Sequence, residues 1–94
     1  MNQRKMLAEE ILSFLKAHAK PNVNYQHEDD NKYNSPDADI MDYTAQCLLN
    51  DQVDIQSIEI PHSNYSQGGY APFNDLKAKQ WHDSLIIKLK QLKS

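Results

Sequence analysis

The chain has 94 residues, a formal net charge of -3 and a single cysteine, Cys47. That length gives one domain with a modest core. One thiol excludes an intrachain disulfide scaffold and fits a reducing compartment. No apolar run approaches the ~18 residues needed to cross a bilayer. Glu9 and Glu10 interrupt the apolar stretch behind Arg4 and Lys5, which argues against a signal peptide. A cytoplasmic protein without membrane contact is expected.

The first predicted element is a helix over residues 3–19. Leu7, Ile11, Phe14, Leu15 and His18 recur at helical spacing, with Ala8 and Leu12 widening the stripe. Lys20-Pro21 ends it, because proline disfavours helical geometry in the residue before it. Val23, Tyr25 and His27 then alternate with polar neighbours, the pattern of a short strand. Residues 28–35 are too polar to continue the pairing and read as an exposed loop.

Ser35-Pro36 marks the start of a second helix, with serine as N-cap and proline at the first helical position. Asp37 and Asp39 complement the positive end of its dipole. Ala38, Met41, Ala45 and Leu48 form its apolar stripe, widened by Ile40, Tyr43, Cys47 and Leu49. Asn50-Asp51 is the expected stop. Residues 53–60 read as the best strand of the chain, with a phase slip between Ile55 and Ile58 that a bulge at Gln56-Ser57 would absorb.

Residues 61–72 hold both glycines and two of the four prolines, and read as a loop or a distorted hairpin. Asn74 is placed to cap the last helix, and Phe73 to staple onto Ala78. Ala78, Trp81, Leu85, Leu89 and Leu92 give that helix a continuous stripe. The expected fold is α+β: three helices with a small two- or three-stranded antiparallel sheet, in the order α-β-α-β-(β)-α. The first and last helices are expected to pack on the strand 53–60, with Trp81 largely buried.

Charge is segregated along the chain. Residues 26–54 carry eight carboxylates against Lys32 alone, a net -7, while residues 1–25 and 55–94 each carry +2. Such an acidic middle serves either internal pairing or a face directed at a basic partner. The chemical alternatives are poorly supported. The four histidines show no zincin spacing and no Cys-x-x-Cys accompanies them; the acidic run lacks the alternating ligands of a calcium loop. There is no G-x-S-x-G around Ser63, Cys47 lies in an apolar stripe, and Gly68-Gly69 does not open a phosphate loop. No enzyme, metal or cofactor is therefore expected.

The segment of residues 64–73 mixes Tyr65 and Tyr70 with serine, glycine and asparagine, a composition suited to protein recognition. The reading is a small non-enzymatic protein-binding module, an inhibitor of the toxin-immunity or phage counter-defence type. It would block a basic partner protein sterically and electrostatically. Asp29, Asp30, Asp37 and Asp39 would set the association rate, and Tyr65 and Tyr70 the lifetime of the complex. A homodimer is compatible with this reading. The alternative is a small regulator touching nucleic acid through the lysines of the last helix, disfavoured by their small number and the missing arginines.

Overall fold

The computed structural model describes residues 2–34, 36–61 and 75–94, and side chains within these except at 36, 37 and 75–79. Three helices organise it: α1 (Gln3–His18), α2 (Pro36–Leu49) and α3 (Asp75–Lys93), with a short 3-10 helix at Ile55–Ser57. α1 begins where the Asn2 side chain accepts hydrogen bonds from the backbone N–H groups of Arg4 and Lys5, satisfying two of the helix's orphan donors. Pro36 opens α2, where its missing N–H costs nothing. Ser35, Phe73 and Asn74, expected to cap or staple, lie outside the described residues.

The core is formed by one face of each helix. Leu7, Ala8, Ile11 and Leu15 of α1 are buried with Ala38, Met41, Ala45 and Leu48 of α2 and with Leu85 and Leu89 of α3. α1 packs against both other helices, and the 3-10 helix packs against α3. Arg4, at the start of α1, reaches the end of α2, so these two helices run antiparallel. α1 and α3 are also antiparallel, since Glu10 pairs with Lys88 at 2.8 Å and Phe14 stacks on Trp81. That stack has ring centroids 3.7 Å apart and planes within 7°. Trp81 is only half-buried, less than its place in the stripe suggests. His82 beside it is the buried one, 1% exposed.

The expected sheet is not formed among the described residues, so three helices replace the α+β order α-β-α-β-(β)-α. Residues 53–60 are the plainest correction. Asp54 caps the 3-10 turn, its Oδ1 accepting from the Gln56 N–H at 3.0 Å and its carbonyl from the Ser57 N–H at 2.9 Å. The slip between Ile55 and Ile58 is therefore not a bulge in a strand. Three-residue spacing is the period of a 3-10 helix, and it brings Ile58 into the core with Val53, Ile55 and Ile60 packed around it. The expected packing of α1 and α3 on a strand here is replaced by direct contact between the two helices.

The second correction concerns Val23, Tyr25 and His27. Instead of pairing, this stretch turns back on itself: Asn22 Oδ1 accepts from the Asn24 N–H, and the Asn22 carbonyl from the Tyr25 N–H. Short polar side chains offered the backbone a local alternative to a ladder. Among the described residues, what remains of β structure is one antiparallel bridge between Pro21 and Tyr33. The optional third strand falls within residues 61–72, of which all but Pro61 lie outside the described residues. No helix among the described residues is long and apolar enough to cross a membrane.

Candidate functional site

Residues 20–34 form a closed loop between α1 and α2, and its construction starts from its hydrogen bonds. At the neck, Asn22 N–H donates to the Lys32 carbonyl at 2.9 Å and Asn34 N–H to the Lys20 carbonyl at 3.0 Å. Across the middle, the Asn22 side chain donates to the Asn31 carbonyl at 2.7 Å. At the far end, Asp30 Oδ2 accepts from the backbone N–H groups of both Gln26 and His27. Compact loops whose ends meet and whose own side chains fill them are ordered without regular secondary structure.

Three groups of the loop then attach to α2. Asp39 Oδ1 accepts from the N–H groups of Lys32 and Tyr33, at 3.0 and 3.2 Å. Lys32 Nζ donates to the nearly buried Asp42 at 3.1 Å, and this hydrogen bond raises the ammonium pKa above its ordinary value against the opposing effect of burial. Burial, followed by the charge of Asp42, also raises the Tyr33 phenol. Asp39 and Asp42 thus serve as anchors. The acidic middle of the chain is partly spent on internal bonding, with Asp54 capping its 3-10 turn and Asp30 closing the loop tip.

What the loop presents is mixed in character. Val23 is 89% exposed, Tyr25 is exposed, and Glu28 and Asp29 lie on the same turn-rich stretch. Of the residues expected to meet a partner, Asp29 and Asp30 are therefore in one loop, with Asp29 exposed and Asp30 engaged with backbone. Asp39 lies at the loop's base. The side chain of Asp37, and Tyr65 and Tyr70 entirely, lie outside the described residues.

On the other side of Asp39 a groove of about 680 Å³ runs between α2 and the segment after the 3-10 helix. Ile40, Tyr43, Cys47, Val53 and Ile60 supply apolar lining, and Asp39 and Glu59 supply carboxylates. Tyr43 is 71% exposed, at the outer edge. Its phenol is raised above the ordinary value chiefly by hydrogen bonding with Cys47, one helical turn on, and also by the charges of Cys47 and Glu59. In the sequence, Ile40, Tyr43 and Cys47 widen the apolar stripe of α2. The signal of an open face was the width of that arc, which the described structure leaves unmatched by a second cover.

The lysines of α3 are partly committed elsewhere. Lys88 pairs with Glu10, and Lys93 Nζ donates to the Ile58 carbonyl. Among the described residues, no group of three His, Cys, Asp or Glu side chains is placed to hold a metal ion. No family model matches the chain, and neither a curated protein nor a solved structure gives a significant match.

Proposed function

We propose that this protein is a small non-enzymatic binding module that blocks a basic partner protein, in the manner of an inhibitor such as an immunity or counter-defence protein. The observation that supports this reading is the loop of residues 20–34. It is tied at its neck, across its middle and onto α2, yet carries Val23, Tyr25, Glu28 and Asp29 outward. A surface ordered before binding loses little conformational entropy when it docks. Exposed carboxylates steer a cationic partner and accelerate encounter, while apolar and aromatic groups lengthen the complex.

The structure also changes which carboxylates should be varied. Asp30 and Asp39 hold backbone N–H groups, so replacing them would disturb the loop as well as its charge. Glu28 and Asp29 are exposed on the loop and give the cleaner test. After capture of a partner from host lysate, the combined Glu28→Gln and Asp29→Asn variant should bind it with a lower on-rate and a flatter salt dependence, its off-rate nearly unchanged. Unaltered kinetics would reject the electrostatic part of the proposal. Salt-sensitive gel shifts with DNA or RNA, abolished by Lys90→Glu, would instead favour the nucleic-acid regulator.

A further inference from the structure

We infer that the loop of residues 20–34 is a strap that opens as one unit, and that Lys32 on Asp42 is the latch that keeps it closed. This deepens the binding-module reading by assigning the regulation of the same loop, and it rests on that reading for its purpose. The motion itself is a property of the free chain.

Three observations carry it. No residue from 21 to 34 is buried, and Tyr33 is the hydrophobic side chain among them that packs against the core. Segments with so little apolar burial open locally, at lower free energy than a helix core does. The hydrogen bonds of the strap run mostly within it, at its neck, middle and tip, through Asn22, Asn34 and Asp30. Its parts therefore hold or release one another. Its attachment to α2 is concentrated in one dipeptide: the N–H groups of Lys32 and Tyr33 donate to Asp39, and Lys32 Nζ donates to Asp42 one turn further along. The two ends of that ion pair differ, the Asp42 side chain being 9% exposed and that of Lys32 44%. Removing the cation from so buried a carboxylate costs more than the intact pair contributes, and Asp42 regains water only when the strap lifts. The pair thus biases the loop toward closure. A partner that needs the closed form binds in proportion to the closed fraction, which makes Lys32 a positioning residue for Val23, Tyr25, Glu28 and Asp29.

Amide hydrogen exchange of the isotope-labelled full chain, followed by nuclear magnetic resonance, is the test. In the parent, the N–H groups of Asn22, Gln26, His27, Tyr33 and Asn34 should share one degree of protection, lower than that of Ile11 and Leu15 in α1. Lys32→Met should speed the loop amides about three- to tenfold, the range for a pair with one buried and one half-exposed end. Lys32→Arg should restore the parent rates. Lys32→Met combined with Asp42→Asn should bring them back to within about twofold of the parent, since no charge is then left buried. Ile11→Val, a change in the core, should speed the α1 amides several-fold and leave the loop amides unchanged. Loop amides as slow as those of α1, or accelerated by Ile11→Val, would mean that the strap opens only with the whole molecule and would overturn the inference. So would loop amides without protection, unchanged loop exchange in Lys32→Met, or a double variant no slower than Lys32→Met alone. All of these are read without a partner, so the kinetic test of Glu28 and Asp29 stands or falls separately.

Discussion

Arg4 shows how much one side chain can organise. Its guanidinium Nε donates to the Leu48 carbonyl at 3.2 Å, and Nη2 donates to the carbonyls of Cys47 at 3.0 Å and Asn50 at 3.2 Å. The Leu48 carbonyl belongs to the last turn of α2, where intrahelical donors run out; the Cys47 and Asn50 carbonyls also accept from the N–H groups of Asn50 and Val53, so Arg4 adds a second donor to each, and a cation there meets the negative end of the helix dipole. In the sequence Arg4 is one of four cations near the N-terminus, and nothing local pairs it with residues more than forty positions on. Arg4→Ala should destabilise the protein by about 1–2 kcal/mol in urea unfolding, the scale of charge-assisted hydrogen bonds discounted for partial exposure. Arg4→Lys should recover less than half of that, because an ammonium cannot span three carbonyls as a planar fork does. Equal stability of Arg4→Lys and the parent would show that charge alone suffices.

Between residue and fold lies the element, and here the loop of residues 20–34 is the informative case. Lys32 and Tyr33 attach it to α2, and both have folded-state pKa values raised above their ordinary ones. The sign is the same for both groups. Each holds its proton more tightly when folded, so its contribution is complete below the unfolded pKa and is lost as pH rises through the folded value. The affected window lies above pH about 10, where unperturbed tyrosine and lysine titrate. The melting temperature should therefore be little affected by these groups from neutrality to mildly alkaline pH and should fall above that window. In the Lys32→Met, Tyr33→Phe variant the alkaline fall should be shallower than in the parent. An identical alkaline profile would mean that the remaining lysines and tyrosines cause it. Lys32 is largely exposed, which keeps its share small.

At the scale of the whole molecule, stability rests on the shared faces of α1, α2 and α3. Leu85 is 2% exposed within the common core. A domain of this length has a total stability of about 5–14 kcal/mol, and an unpaired buried carboxylate costs several of these. Leu85→Asp should consequently lose the cooperative thermal transition seen by circular dichroism. Lys90 is exposed on the same helix, and Lys90→Glu should cost under ~1 kcal/mol. A Leu85→Asp variant that melts like the parent would place α3 outside the cooperative unit. The Glu10–Lys88 pair joins the same two helices but is exposed on both sides, so the stability there comes from Phe14 stacked on Trp81 and the leucines beside it.

The sequence by itself determined the three helices, because a helix is specified by spacing within one turn and by residues at its ends. The stripes of Leu7, Ile11 and Leu15, of Met41, Ala45 and Leu48, and of Leu85 and Leu89 are buried as their period requires. Strands are a different problem, since a strand exists only if another chain segment pairs with it. Alternation at Val23, Tyr25 and His27 had no such partner, and the neighbouring asparagines closed a turn instead. The three-residue step from Ile55 to Ile58 admitted two local geometries, and contact with α3 accompanies the 3-10 one. The carboxylates follow the same division. Composition located an acidic middle, but only the tertiary structure separated Asp30, Asp39, Asp42 and Asp54, bonded within the fold, from Glu28, Asp29 and Asp51, exposed to solvent. Charge is a property of the residue; whether it is already paired depends on which groups folding brings within hydrogen-bonding distance.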